Sequence, residues 1–298
     1  MIKRTLCFTT PLYLSLKNAQ LVIKIKETPE EIQDIRTVPI EDIGMVIIEN
    51  QRVSISMPLL NELVDAGVAV VFCDAKGLPH AVLQNLDGNS LQGEYLRKQI
   101  DVGEVLRKQL WKQLVEAKIS NQAALLEKSH SNGSVLKPYY MNVKSGDADN
   151  REGAAARVYW SAMFGDDFVR DRAQQGVNSL LNYGYTILRA ATARALVSAG
   201  LTPALGIFHH NRSNAFPLAD DVMEPFRPFV DEIVYQLCEE GRFEVDKGAK
   251  MELLGILTCD TYFEKVTRPL QIGLSMTCAS LARCYSGEDK KLSLPILR

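Results

Sequence analysis

The densest run of chemically capable side chains is GIFHHNRSNAFPLADDVMEPFRPFVDE, residues 206–232. His209 and His210 follow an apolar stretch, and Asp220, Asp221 and Glu224 come soon after. On a helix, Asp221 and Glu224, or Asp220 and Glu224, share one face. Pro225 has no N–H, so inside a helix it leaves the Asp221 carbonyl without its usual partner. Carboxylates at this spacing repel unless something positive lies among them, and a divalent cation is the economical answer. A histidine followed by a carboxylate helix is a reasonable source of metal ligands. The competing reading is a solvated acidic helix with incidental histidines.

Two further clusters precede it. In DNREGAAARVYW, residues 149–160, Asp149 or Asn150 can cap the helix that follows. Glu152 then falls in the first turn, where the helix dipole alone favours a carboxylate. Arg151 and Arg157 beside it could reach phosphate. In NSLLNYGYTILRAATARALVSAG, residues 178–200, Asn178, Asn182, Tyr183 and Tyr185 interrupt an apolar helix. Hydrogen bonding inside a helix-bundle core explains them better than stacking on bases.

The elements that must position these groups divide the chain in two. Leu12, Leu14 and Leu16 alternate with polar residues, Asn18-Ala19 breaks the run, and Leu21, Ile23 and Ile25 resume it, predicting a hairpin. Residues 45–48 and 68–72 predict strands, and Ser56-Met57-Pro58 opens a short helix closed by Gly67. The expected fold class is therefore α+β: a β-rich N-terminal domain (1–83), a polar linker (84–93), a larger α-helical catalytic domain (94–285) and a tail (286–298). Leu96, Ile100, Val102, Leu106, Leu110, Leu114 and Val115 form a helical stripe at the start of the second part. Residues 129–150 read as a loop-rich connector, and the chain beyond them as helical to about Cys284.

The net charge of −2 advertises no global basic field, but it hides an asymmetry. Residues 151–212 hold seven arginines against four acids, and residues 220–264 twelve acids against four basic residues. A phosphate-binding face beside a metal-holding cluster has this pattern; so do two solvated helical faces. The six cysteines form no CxxC pair, so buried reduced thiols in a cytoplasmic protein are expected. The first residues lack the long apolar core of a signal peptide, and no apolar run reaches the roughly 18 residues of a membrane span.

Taken in order, these clusters resemble the CRISPR-associated integrase family that inserts new spacers, the Cas one family. The matching stretches are Arg151-Glu152-Gly153 to Tyr159-Trp160, Asn178 to Tyr185, Leu201 to His209, and Leu218 to Pro228. The Gly-Ile-Phe-His-His-Asn opening looks most like members from type II systems. The resemblance implies a catalytic and metal-binding site of Glu152, His209 and Glu224, with aspartate at the last position in many members and Asp221 as a supporting acid. The family pattern selects His209 over His210, because the ligand directly follows the apolar triplet. Two carboxylates and an imidazole suit Mg²⁺ or Mn²⁺ and leave positions for water and phosphate oxygens.

The implied function is metal-dependent insertion of spacer DNA into a CRISPR array, in antiviral defence, by attack of a DNA 3′-hydroxyl on a phosphodiester. Implied partners are double-stranded DNA, a second copy of the chain joined through the β-rich domain, and a small ferredoxin-like protein of the Cas two family. The resemblance to type II members adds an effector nuclease and an accessory ring protein to the implied partners. Arg151, Arg157 and Arg212 are candidate DNA contacts. A structure-selective metal nuclease and a non-catalytic DNA-binding scaffold are the alternatives.

Overall fold

The computed structural model describes residues 3–26, 32–75, 77, 79–83, 85, 89–129 and 131–298. The chain forms two compact units, Met1–Gly88 and Asn89–Arg298. The division falls inside the stretch expected as a linker, of which Gln84 and residues 86–88 lie outside the described residues.

In the first unit the predicted hairpin is β2 (Tyr13–Lys17) and β3 (Gln20–Lys26), which pair antiparallel with Lys17 opposite Gln20. Asn18 and Ala19 both take positive φ (52° and 55°), as a two-residue turn matching the strand twist requires. β1 (Arg4–Phe8), β4 (Ile32–Pro39), β5 (Ile43–Ile48), β6 (Ser54–Ile55), β7 (Ala69–Cys73) and β8 (Pro79–Leu83) complete two four-stranded sheets, ordered β1-β5-β7-β8 and β4-β3-β2-β6. Every residue of β5 is buried, which is why it reads as a continuous apolar run rather than an alternating one. The predicted helix is α1 (Met57–Asp65), which turns Leu59 and Leu63 into the core shared by both sheets, beside Leu14, Leu21, Val46 and Val70. The strand pattern leads one to expect a small β-sandwich or a sheet with one helix, and among the described residues the unit has two four-stranded sheets and the helix α1.

The second unit is built around α3 (Glu104–Lys128), which buries Leu110, Trp111, Leu114, Val115, Ile119, Leu125 and Leu126. The stripe from Leu96 to Val115 does not make one helix. α2 (Gln92–Asp101) ends at Val102, and the extended Gly103 (φ −69°, ψ 155°) restarts the chain as α3. The expected connector carries α4 (Lys137–Tyr140) between short 3₁₀ turns at Gly133–Leu136 and Ser145–Asp147. Next come α5 (Arg151–Phe164), α6 (Val177–Ser198), α7 (Pro217–Val222), a 3₁₀ turn at Glu224–Phe226, α8 (Arg227–Glu239) and α9 (Lys247–Gly255). α6 and α8 meet closely at Gly184, where a Cβ would stand 2.4 Å from Val230 Cγ1.

Two features depart from the expected helical run and tail. A short hairpin, β9 (Asp260–Phe263) and β10 (Val266–Pro269), precedes α10 (Leu270–Tyr285). The last residues are docked rather than free: Ile296 N donates to Tyr262 O, Thr277 Oγ1 to Ser293 O, and Leu297 is buried. Asn121, 3 % exposed, holds this segment by accepting from Leu297 N and donating to Pro295 O. All six cysteines are free thiols. Among the described residues, no helix is long and apolar enough to cross a membrane.

Candidate active site

α3, α5, the loop before α7 and the turn after α7 converge on one cluster. Glu152 sits in the first turn of α5, which is capped twice. Asp147 accepts from the backbone N–H groups of Arg151 (2.7 Å) and Glu152 (3.0 Å), and Asn150 accepts from Gly153 N (3.1 Å). The cap is therefore Asn150 with Asp147 behind it. These bonds satisfy three otherwise orphaned donors and fix the backbone of Glu152.

Lys118, on α3, was not singled out from the sequence, yet it occupies the centre of the cluster. Its Nζ lies 2.6 Å from Glu152 Oε1 and 2.6 Å from Glu224 Oε2, so one ammonium bridges the two carboxylates. Glu224 is 3 % exposed and also pairs with Arg227 Nη2 at 3.0 Å. Burial alone would raise the Glu224 carboxyl, but Arg227 and Lys118 outweigh it and hold it below the usual glutamate range. Burial likewise works against the Lys118 ammonium, and Glu224 and Glu152 more than compensate. The Lys118–Glu224 contact is a close, buried ion pair. Three residues beyond Lys118, Asn121 donates to Pro225 O (2.8 Å) and so pins the turn that carries Glu224.

The three acids around α7 have three different sets of protein partners. Asp220 is held by Arg189 Nε (2.7 Å) and Nη2 (3.1 Å) and by Asn214 Nδ2 (2.7 Å). Asp221 is fully buried and accepts from Ile207 N (2.6 Å), Phe208 N (3.0 Å) and His209 N (3.2 Å). Its Oδ1 also meets His209 Nδ1 at 2.5 Å. With four contacts spent on the 207–209 loop, Asp221 orients the His209 imidazole. The loop needs Gly206 to wrap this carboxylate, since a Cβ there would stand 2.4 Å from His209 O and 3.1 Å from Asp221 Oδ2. The repulsion that suggested a metal from spacing alone is thus relieved by Lys118, Arg227, Arg189 and backbone N–H groups. Among the described residues, no group of three or more His, Cys, Asp or Glu side chains is arranged as a metal site.

The donor chemistry nonetheless fits a divalent ion. Glu152 and Glu224 already converge on one cation, the Lys118 ammonium, which lies 2.6 Å from an oxygen of each. Hydrogen bonding of Nδ1 to Asp221 leaves His209 Nε2 as its free nitrogen, the arrangement by which carboxylates prepare metal-ligating histidines. His210 is exposed on the same loop. Arg157 is exposed on α5 about 140° around the helix from Glu152, at 100° per residue, and Arg212 is exposed in the turn before Asn214. Arg151 stays near Asp149 (3.8 Å). Among the described residues Glu152 is ion-paired with Lys118 and with none of these three arginines.

The hydrogen bond that His209 donates to Asp221 raises the His209 pKa above its ordinary value, against a smaller opposing effect of burial. A raised folded-state value means that the pair contributes stability in full below about pH 6.5 and loses it as pH rises through the folded pKa. NMR titration of the imidazoles should place the His209 midpoint above 6.5 and show it falling in Asp221→Asn. A midpoint indifferent to that substitution would remove Asp221 as the cause.

Sequence-read polar groups elsewhere have structural partners. Asn178 and Asn182 accept from Arg170 Nη1 (2.8 Å) and Nη2 (2.7 Å), tying the 165–176 loop to α6. Tyr185 and Tyr159 both donate to Asp231 of α8, the latter at 2.8 Å.

Comparison with known proteins now adds the family. The model for CRISPR associated protein Cas1 matches residues 6–268. A CRISPR-associated endonuclease Cas1 from Neisseria meningitidis serogroup C is 40 % identical over 248 residues, covering 82 % of this chain and 79 % of that protein. One from Francisella tularensis subsp. novicida is 29 % identical, covering 77 % of each chain. Among solved structures, a CAS1 protein from Thermotoga maritima has the same fold (TM-score 0.78, 16 % identity, 96 % of this chain and 98 % of that one). So does a casposase bound to its integration product (TM-score 0.77, 22 % identity, 98 % and 93 %). With its family model spanning most of its length and a 40 % identical relative aligned over most of both chains, the protein belongs to the Cas1 family of CRISPR-associated proteins.

Proposed function

We propose that the chain is a metal-dependent DNA integrase that inserts spacer DNA into a CRISPR array, working as a homodimer on double-stranded DNA. The observation that carries this reading is the convergence of Glu152 and Glu224 on a single cation beside a histidine oriented by Asp221, in a Cas1-family chain. Glu152, Glu224 and His209 Nε2 would hold Mg²⁺ or Mn²⁺. The ion, when bound, supplies polarisation of the phosphoryl group and stabilisation of the leaving oxygen.

The chain's own groups do the positioning. Arg227 fixes one oxygen of Glu224, Asn121 fixes its turn, and Asp221 fixes the histidine tautomer. Lys118 offsets the charge of the Glu152 and Glu224 carboxylates that it joins. In strand transfer the attacking 3′-hydroxyl loses its proton and forms one P–O bond. Another P–O bond breaks, and its 3′-oxygen departs and takes a proton. The phosphodiester count is unchanged. Water in place of the hydroxyl gives hydrolysis, the second reading, favoured by the endonuclease names of the relatives.

A ferredoxin-like Cas2 partner belongs to the same proposal, supported by the fold shared with a Cas6-RT-Cas1–Cas2 complex (TM-score 0.71, 18 % identity, 97 % of this chain and 35 % of that one). The β-rich unit is the proposed dimer surface, and the cytoplasm the compartment. The type II-like Gly206–Asn211 opening makes an effector nuclease and a ring protein further partners to test. Incubating the protein and partner with labelled duplex, repeat DNA and Mg²⁺ or Mn²⁺ should give a joined product. Fragments alone would support the nuclease, and no reaction with either ion would sink both.

A further inference from the structure

Beside the proposed catalytic cluster lies an aromatic feature that the reaction does not use. Phe208 lies flat on Trp111, with ring centroids 4.4 Å apart and planes 2° from parallel. Trp111 is 1 % exposed, whereas Phe208 is 47 % exposed, so the stack has a buried base and an open outer ring. Both line a half-open cavity of about 450 Å³, with Arg107, Lys108 and His210 around it. The cavity also includes Glu104, which is 2.6 Å from Lys108 and balances that charge. Arg107 spends Nε and Nη2 on Val102 O and keeps its remaining N–H groups for other partners. The Trp111 indole N–H is buried without a hydrogen-bond partner, an uncommon state for a native buried donor.

We infer that Phe208 is a stacking platform for one unpaired DNA base, that of the nucleotide adjoining the reacting phosphate. The inference rests on the DNA-joining reading and deepens it. Position selects the occupant: Phe208 and His209 are consecutive, and their rings meet edge-on (centroids 5.6 Å apart, planes 86°), so a base on Phe208 sits next to the nucleotide at His209. Chemistry agrees with position. A flat apolar ring backed by a second ring offers a π-face that any base can use, and the Arg107 guanidinium at the rim suits a flanking phosphate. Trp111 keeps the Phe208 ring in place without a ligand, so little ordering is needed on binding.

The test uses the full-length protein and a duplex with a short single-stranded 3′ end. In one version 2-aminopurine replaces the terminal base; in another the terminal position is abasic. Stacking should quench the 2-aminopurine fluorescence on binding, and the abasic end should bind roughly 5- to 150-fold more weakly, the range of a lost base–aromatic stack. Phe208→Leu should abolish both effects, and Phe208→Tyr should restore them. The exposure of Phe208 makes a folding failure of these variants a minor concern, and circular dichroism checks it. Equal binding of normal and abasic ends by the unsubstituted protein would overturn the platform while leaving DNA binding intact. So would Phe208→Leu changing the oligomeric state but not the abasic penalty, which would make the ring a protein contact. No binding of any DNA end would bring down the DNA-joining reading and the platform together.

Discussion

His209→Ala is expected to abolish metal-dependent DNA joining, while His210→Ala keeps substantial activity. Consecutive residues point in different directions, so one ion beside Glu152 and Glu224 cannot take both rings. The structure separates them by their partners. His209 has Nδ1 fixed by the buried Asp221 and its ring edge-on to Trp111 (5.7 Å between centroids, 88°), whereas His210 is exposed at the rim of the Phe208 cavity. Loss of an orienting group commonly costs about 10- to 100-fold in metal affinity or activity, so loss of the ligand itself should cost at least about 100-fold. Glu152→Ala should match it. Glu224→Ala is a less clean test than the sequence suggested, because it strands Lys118 and Arg227 with less counter-charge. Glu224→Gln keeps the volume and is the better probe. Activity should be read as joined product, with circular dichroism and dimer state as controls. A normally active, folded His209→Ala beside an inactive His210→Ala would reverse the assignment.

The largest loss of stability is expected from Asp231→Ala. Asp231 is 1 % exposed on α8 and accepts from Tyr159 of α5 and Tyr185 of α6, so one carboxyl joins three helices. Burial raises its pKa to about 6, with the two tyrosine hydrogen bonds and Arg227 pulling the other way. The tyrosine hydroxyls are held well above their ordinary value, by burial first and the Asp231 charge second. Truncation would leave two buried hydroxyls unpaired and take a counter-charge from Arg227, whose guanidinium lies 4.6 Å from the Tyr185 ring centroid. Breaking such a buried charged network costs about 3–5 kcal/mol. For a unit of this size that lowers Tm by roughly 6–20 °C. Asp231→Asn should cost less, since an amide can still serve both hydroxyls and needs no counter-charge. Because the folded-state value is raised, this group favours folding most below about pH 4, and the advantage is lost as pH rises through about 6. Thermal melts of the two variants at pH 7 decide the matter: equal melting of Asp231→Ala and the parent would leave the network without energetic weight.

Much of this protein is decided locally, and that part is visible in the sequence. The β2–β3 hairpin follows from alternating leucines and isoleucines around Asn18-Ala19, and α1 follows from Ser56, Pro58 and Gly67, because strand period, turn geometry and helix ends depend on neighbours. The resemblance to the Cas1 family likewise rests on contiguous stretches of chain, and it distinguishes His209 from His210. Spacing alone could not say which partner each acid near α7 would take. Asp220, Asp221 and Glu224 lie within five residues, yet they face Arg189, the 207–209 loop, and Lys118 with Arg227.

The deciding partners come from other elements, brought in by packing of helices distant in sequence. Lys118 reads as one more charge on a long helix until α3 is placed against α5 and the Glu224 turn. Asn121 reads as a polar lapse in an apolar helix until its amide meets Pro225, Pro295 and Leu297, which also turns the expected tail into a docked strap. Sequence alone determined the two-part α+β architecture and a short set of candidate ligands. Tertiary structure decided which of them converge, because a buried charge is tolerable only where distant segments supply its counter-charge and hydrogen bonds.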